Sequence, residues 1–148
     1  MGLRYINFLT FNVRSLIDTS RQIDLLNTLF YNNIDIAFIQ ECHLRKNNVK
    51  LKGYSFLYDY SSVGVAIIIK DAICYNRINV DDFGIHGNFV QIELKVNNAV
   101  KKLLVGSLYI PSNLPVSSIN SGLDNILHVA SGRSEEHTSE LQSPGSIS

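Results

Sequence analysis

The sequence lacks a net charge, a long apolar run and a recognisable secretion or lipidation signal, and it has few cysteines. Thirteen basic residues balance thirteen acidic ones, for a formal net charge of zero, so charge alone indicates neither a nucleic acid nor a lipid surface as partner. The longest apolar runs, such as Val63–Ile69, are too short to span a bilayer. The start of the chain has no signal peptide, and Ile6 stands where myristoylation requires Ser or Thr. The two cysteines, Cys42 and Cys74, predict free thiols in a reducing compartment.

The remaining composition fits one globular domain over residues 1–130, followed by a tail. Of the 148 residues, 45% are hydrophobic and 18% charged, which suffices for a core. Ser131–Ser148 contains six serines and is predicted to be disordered. Within it, Arg133–Ser143 (RSEEHTSELQS) is either part of a natural Ser-rich tail or the translation of a sequencing-library adapter. The second interpretation is favoured because local propensity explains none of these residues, and the natural sequence is then expected to end near residue 131.

The hydrophobic pattern predicts an α/β fold that begins β–α–β and continues mostly with antiparallel strands. A strand over Tyr5–Asn12 is followed by a helix that Ser20 caps, with Ile23, Leu26 and Phe30, joined by Leu29, facing inward. Asn32–Asn33 ends this helix, and Ile34–Gln40 forms a strand buried on both faces and parallel to the first. The later elements are predicted strands at Tyr54–Tyr60, Val63–Lys70, Cys74–Val80, Phe89–Val96 and Lys101–Ile110, an Asn97–Asn98 turn, and a helix from a Ser118 cap to Ala130.

Three polar residues at the ends of predicted strands are the candidate site: Asn12, Glu41 and Tyr109. A carboxylate directly after a buried strand is costly unless it finds water, a partner or a metal. Ligand sites of layered α/β folds gather at the carboxyl ends of strands. Taken singly, each residue also has an ordinary explanation, because Asn is frequent in turns, Glu at a strand end is commonly solvated, and Tyr packs half-buried.

In this order, the strand ends FNVRS, IQECHL and SLYIPSN resemble those of the endonuclease/exonuclease/phosphatase superfamily. The glycine-marked strand Val63–Ile67 also fits, and the resemblance extends over residues 4–130. It points in particular to the apurinic-endonuclease-like domain of non-LTR retrotransposons. Cys42 departs from the usual Thr, and Val63 from a common second Gly. The resemblance implies the amino-terminal half of a four-layer α/β sandwich, truncated.

The same resemblance implies hydrolysis of DNA phosphodiester bonds with one Mg²⁺ or Mn²⁺ and no small-molecule cofactor. Glu41 matches the metal ligand, Asn12 the amide that orients Glu41 or a phosphate oxygen, and Tyr109 a phenol that binds the scissile phosphate. DNA is the expected partner, with no membrane, in an intracellular and, for a retroelement, nuclear location.

The family's later Gly-Asp-x-Asn strand and water-activating Asp-His pair have no counterpart, because the adapter-like run begins where the first should stand. The chain as given is therefore expected to be inactive. The missing half is also expected to supply the second sheet, which would leave Ile67, Ile69, Ile92 and Leu94 partly bare.

Alternatives remain open at the level of function. One is a phosphatase of the same superfamily. Another is a non-catalytic α/β binding module, against which stands the lack of G-x-G-x-x-G and G-x-x-x-x-G-K-[S/T] after the first strand. The basic residues after Glu41 predict either contact with a DNA backbone near the site or a solvated loop. These residues are Arg45, Lys46, Lys50 and Lys52.

Overall fold

The computed structural model describes residues 5–45, 49–59, 64–78, 86–109 and 113–133. Its contacts divide the chain into two compact units, Leu3–Ile73 and one that contains the chain from Cys74 onward. The elements are β1 (Phe8–Asn12), α1 (Thr19–Tyr31), β2 (Ile36–Gln40), β3 (Tyr54–Asp59), β4 (Val65–Lys70), β5 (Cys74–Ile78), β6 (His86–Val96), β7 (Ala99–Tyr109) and α2 (Val116–Arg133).

The first unit contains a four-stranded sheet in the order β1-β2-β4-β3. β1 and β2 are parallel, with Phe8 opposite Ile36 and Asn12 opposite Gln40. This confirms the predicted β–α–β start, because the connection between the two parallel strands is α1. β4 is antiparallel to both β2 and β3, so β2 and β3 run in the same direction.

Helix α1 buries part of the predicted face. Leu29 is inward as predicted and Leu26 packs partly buried against the core, but Leu25 is buried while Ile23 and Phe30 are not. Leu25 and Leu29 are 4% and 0% exposed and belong to the core cluster that includes Ala37, Ile39, Ala66 and Ile68 of the sheet. Ile23 and Phe30 are 54% and 73% exposed, so their predicted inward position is wrong. The apolar residues of α1 form two overlapping stripes with helical spacing, and packing on the sheet decides between them.

Of the two predicted ends of helix α1, the structure differs at the first and agrees at the second. α1 begins at Thr19 after Asp18, whose side chain makes no capping hydrogen bond, so the predicted Ser20 cap is wrong. The predicted stop is confirmed at Asn33, which has a φ of 50°. Asn is one of the residues that tolerate the left-handed region, which makes it a suitable helix terminator.

β2 is buried on both faces, as its uninterrupted apolar sequence predicts. β4 is buried on both faces as well. Ile36–Ile39 and Val65–Ile69 are all buried. Ile67 and Ile69 are each 0% exposed, and so is Ile92 in the second unit. The expectation that these side chains lie partly bare is therefore wrong, while Leu94 is half-buried.

The second unit contains a three-stranded antiparallel sheet in the order β5-β6-β7. The expectation that a second sheet must come from outside this sequence is therefore wrong. β6 and β7 form a long hairpin in which Val96 pairs with Ala99. Asn97 and Asn98 have φ values of 51° and 66°, the conformation of the two-residue turns that match strand twist. The predicted Asn97–Asn98 turn is confirmed.

Helix α2 begins at Val116 and runs through Arg133, so the predicted Ser118 cap and the end at Ala130 are both corrected. Ile126 of this helix is buried at 2% exposure. Residues 134–148 lie outside the described residues, and the disorder predicted for them stays a prediction. Of the helices in the described part of the chain, none has the length and apolarity needed to cross a membrane.

Candidate active site

Asn12 and Glu41 meet at the edge of the first sheet that is formed by the carboxyl-terminal ends of β1 and β2. β1 and β2 are parallel with Asn12 opposite Gln40, so both strands deliver their last residues to the same edge. The Asn12 side-chain N–H donates a hydrogen bond to Glu41 Oε2, and Asn12 Oδ1 accepts one from the backbone N–H of Arg14 at 3.1 Å. The second bond fixes which side-chain atom of Asn12 faces Glu41, because the Arg14 backbone N–H can only donate and therefore takes the amide oxygen. The predicted adjacency of the two side chains is confirmed, while their roles stay predictions.

The loops that follow β1 and β2 hold several non-glycine residues in left-handed backbone conformation. Arg14 and Ser15 have φ values of 57° and 124°, and Glu41 and His43 of 56° and 54°. Each such residue costs on the order of 1–2 kcal/mol relative to right-handed backbone. Residues of this kind persist only where the surroundings hold them, and they cluster at functional sites.

Three backbone hydrogen bonds hold these loops together. Val13 N–H donates to Gln40 O at 3.1 Å, and Leu16 N–H donates to Cys42 O at 2.9 Å. Cys42 N–H donates to Gly64 O at 3.0 Å. The loop after β2 is therefore fixed on one side by the loop after β1 and on the other by the residue that precedes β4.

The Glu41 carboxylate is partly open to solvent. Its side chain is 40% exposed, and Oε1 lies 3.9 Å from His43 Nε2, on a side chain that is 46% exposed. At this exposure an ion pair contributes little stability. His43, to which no role was assigned from sequence, is thus the neighbour of the Glu41 carboxylate. The Glu-x-His spacing directly after a buried strand is the signal that was available for it.

Cys42 lies between these two residues but is not available as a ligand. It is 0% exposed, and burial raises the pKa of its thiol to about 12. A thiol must lose its proton to bind a metal or to attack as a nucleophile. Cys42 therefore belongs to the core, and the polar chemistry of this edge rests on its neighbours.

The donor set at this edge fits the anchor of a hydrated divalent ion rather than a complete cage. Mg²⁺ commonly keeps several waters and uses one or two protein carboxylates. Glu41 supplies one such carboxylate with solvent access, and the Asn12 amide orients it through its N–H. Among residues 5–45, 49–59, 64–78, 86–109 and 113–133, no group of three His, Cys, Asp or Glu side chains could hold a metal.

The third predicted site residue, Tyr109, is the last residue of β7 and pairs with His86. It belongs to the second unit, and its side chain lies outside what the structure describes. Its predicted approach to Asn12 and Glu41 stays a prediction.

The basic residues after Glu41 do not gather at one place. Arg45 is exposed four residues after Glu41, and Lys46 lies outside the described residues. β3 starts beside the far end of β2, because Tyr54 pairs with Lys70, and Lys70 N–H donates to Asp35 O at 2.9 Å. Glu41 follows Asp35 by six positions, which is about 20 Å along a strand. Lys52 therefore lies near the sheet edge opposite Glu41.

A surface groove with a volume of about 410 Å³ lies at that opposite end. Lys50 and Lys52 are both exposed and contribute cationic side chains to it. The groove is lined by Val49, Lys50, Leu51, Lys52, Tyr54 and Phe56. A DNA contact made there would lie well away from chemistry at Glu41.

Comparison with known proteins identifies the fold. TDP2 of D. rerio, solved with a single-strand DNA product, superposes with a TM-score of 0.55 at 16% identity over 89% of this chain and 57% of that one. An endonuclease/exonuclease/phosphatase family protein of Bacteroides thetaiotaomicron gives 0.55 at 11% identity, over 86% and 58%. The endonuclease domain of TRAS1, a telomere-specific non-LTR retrotransposon, gives 0.56 at 14% identity, over 82% and 53%.

The chain thus has the endonuclease/exonuclease/phosphatase fold, with two sheets, mostly antiparallel strands and a β–α–β start. It spans a little over half the length of these solved structures. No protein-family profile and no curated protein sequence matches it. At these identities the likeness establishes the fold, and the activity is argued from the site.

Proposed function

We propose that this chain carries the metal-anchoring part of a metal-dependent phosphodiesterase active site that acts on DNA. The observation that carries the proposal is the hydrogen bond from Asn12 to Glu41 at the shared edge of β1 and β2. A neutral amide donor orients a carboxylate without neutralising it, so the negative charge stays available for a cation. A non-catalytic module has no need of this pair in strained loops.

Each residue of the site has its own proposed role. Glu41 holds Mg²⁺ or Mn²⁺ through its solvent-accessible carboxylate, and Asn12 fixes the direction of that carboxylate. When bound, a divalent ion at this position stabilises negative charge on the phosphate and on its leaving oxygen. Tyr109, by its resemblance to the family's conserved phenol, donates a hydrogen bond to the phosphate. His43 sits beside Glu41 and is available to contact a phosphate oxygen.

DNA as substrate, and target-site nicking for a retrotransposon as the biological role, form the finer part of the proposal. The retrotransposon endonuclease domain and the TDP2–DNA complex among the structural neighbours support it. The sequence stretches FNVRSL and SLYIPSN support it as well, and nuclear localisation follows from it. We expect Arg45, and Lys46 beside it in sequence, to contact the phosphate backbone near Glu41. We expect Lys50 and Lys52 to contact more distant phosphates.

We also propose that residues 1–148 alone do not cleave DNA. General acid–base catalysis contributes about 10²–10⁴ in rate. In the described part of the chain, the acid–base groups in contact at this site are the Glu41 carboxylate and the His43 imidazole. A single carboxylate also binds Mg²⁺ weakly, because the ion gives up its waters reluctantly.

The test separates metal binding from cleavage. Mn²⁺ binding to residues 1–148 is followed by paramagnetic broadening of NMR signals, in the wild type, in Glu41→Gln and in Glu93→Gln, which changes an exposed carboxylate on β6 as a matched control. We expect selective broadening of Asn12 and Glu41 signals that Glu41→Gln abolishes and Glu93→Gln leaves intact. Equal broadening in all three proteins would refute the metal anchor and favour a non-catalytic module.

Cleavage is measured by nicking of supercoiled plasmid with Mg²⁺, beside Glu41→Ala. We expect no nicking above background with either protein. Nicking by the wild type that Glu41→Ala abolishes would overturn the proposed inactivity and retain the metal-dependent function.

A further inference from the structure

The buried phenol of Tyr58 is bonded to the backbone of the loop that carries Glu41. Tyr58 lies in β3 and is 4% exposed. Its hydroxyl accepts a hydrogen bond from Leu44 N–H at 2.9 Å and donates one to Leu44 O at 3.2 Å. A buried hydroxyl needs partners, and Leu44, three positions after Glu41, supplies two of its hydrogen bonds.

The segment Glu41–Leu44 needs such an attachment because its conformation is unfavourable in isolation. Glu41 and His43 are both left-handed, and Cys42 between them points into the core with 0% exposure. Cys42 is bonded through its backbone to Leu16 and to Gly64. The Tyr58 hydroxyl holds the carboxyl end of the same segment, so Glu41 is fixed between β2 on one side and Leu44 on the other.

Tyr58 is itself held rigidly, so it is able to transmit position. It pairs with Ala66 of β4 in the sheet, and its ring stacks on Phe56 with centroids 6.0 Å apart and an interplanar angle of 15°. Gly64 leaves the space that the hydroxyl occupies. A Cβ at Gly64 would overlap the Tyr58 hydroxyl and lie 3.1 Å from His43 N.

We propose that Tyr58 is a positioning residue for Glu41, acting through its hydrogen bonds to Leu44. This inference rests on the proposed role of Glu41 as metal anchor and deepens it. Tyr58 touches neither metal nor substrate. Its hydroxyl selects the loop conformation in which the Glu41 carboxylate meets Asn12 and faces solvent.

Tyr54 provides a matched control for a purely structural role. It lies in the same strand, and its hydroxyl also donates to a backbone carbonyl, Ile34 O at 3.2 Å. That bond is at the opposite edge of the sheet from Glu41. Tyr58→Phe and Tyr54→Phe thus remove the same atom at the two ends of one strand. The first loses two hydrogen bonds to Leu44 and the second loses one to Ile34.

The experiment compares the wild type with Tyr58→Phe and Tyr54→Phe, all as residues 1–148. The first readout needs no metal: the ¹⁵N signal of the Asn12 side-chain amide, which reports its hydrogen bond to Glu41. We expect a large change of this signal in Tyr58→Phe, and none in Tyr54→Phe. The second readout is Mn²⁺ affinity, which we expect to fall about tenfold in Tyr58→Phe, the range typical of losing an outer-shell partner, and to stay unchanged in Tyr54→Phe.

The two readouts separate the possible failures. An unchanged Asn12 signal in Tyr58→Phe overturns the positioning role, whatever the metal does. A changed Asn12 signal in a protein whose wild type binds no Mn²⁺ retains the positioning role and overturns the metal anchor. If Tyr58→Phe does not fold, Gly64→Ala takes its place, because a Cβ at Gly64 displaces the same hydroxyl. An unchanged Asn12 signal in Gly64→Ala then overturns the proposal.

Discussion

The Asn12 amide spans Arg14 and Glu41, accepting from the backbone of the first and donating to the carboxylate of the second. Asn12→Asp should keep the acceptor for Arg14 and add a second carboxylate beside Glu41. Because charge count is a main determinant of affinity for hard cations, we expect Asn12→Asp to bind Mn²⁺ more tightly than the wild type, by titration calorimetry. Asn12→Ala, which removes the bond without adding charge, should bind more weakly. Weaker binding by Asn12→Asp than by Asn12→Ala would contradict the site geometry.

Gly64 and Gly53 offer a comparison of backbone strain with steric overlap. Their φ values are 76° and 87°, so Ala at either position costs about 1–2 kcal/mol for left-handed backbone. A Cβ at Gly53 meets nothing within 4 Å, whereas one at Gly64 overlaps Tyr58. We expect Gly64→Ala to lower the free energy of unfolding clearly more than Gly53→Ala, measured by urea denaturation. Equal losses would show that the space beside Tyr58 is not needed.

Asp35 ties together the sheet edge opposite Glu41. Its Oδ2 accepts from Asn7 N–H at 2.8 Å, and its Oδ1 lies 3.5 Å from Lys70 Nζ. Because the carboxylate is 12% exposed, Asp35→Ala should lower the free energy of unfolding by about 2–3 kcal/mol, the cost of losing charged hydrogen bonds in a buried place. Lys70→Met, which removes one partly exposed partner, should cost about 1 kcal/mol or less. A larger loss from Lys70→Met than from Asp35→Ala would contradict this assignment.

Burial of Cys42 makes stability fall at alkaline pH. Burial raises the pKa of its thiol to about 12, above the value of about 8.5 for an unfolded chain. The unfolded state therefore loses its proton first as pH rises, and the native state is destabilised between these two values. We expect the contribution of Cys42 to be fully present below the unfolded pKa and to decline above it by at most about 1.4 kcal/mol for each pH unit. Denaturation of the wild type and Cys42→Ala across this range checks it, since a slope that persists in Cys42→Ala does not come from this thiol.

Local sequence was enough to predict several features of the strand ends that carry Asn12 and Glu41. A short apolar run that ends in Gln-Glu predicts a buried strand with a carboxylate at its end, and a preceding strand and helix predict a parallel neighbour that ends at the same edge. The structure has both, and it places Asn12 beside Glu41. The turns at Asn33 and Asn97–Asn98 were predicted for a similar reason, because Asn is tolerant of left-handed backbone.

The same local reasoning failed where a distant partner decides. Which residues of α1 are buried depends on the sheet: Leu25, which was not predicted to face inward, is buried, whereas Ile23 and Phe30 are exposed. The position of Lys52 depends on the pairing of β3 with β4, which places Lys52 at the opposite end of the sheet from Glu41.

The sequence by itself thus determined the order of elements, the parallel start and the polar ends of two strands, because each depends on residues adjacent in the chain. The tertiary structure alone decided what surrounds Glu41: the His43 imidazole, the buried Cys42 and the Tyr58 hydroxyl on Leu44. The physical reason is that hydrogen-bond partners and burial are set by contacts between segments far apart in sequence. Such contacts leave no periodic pattern in the segment that makes them.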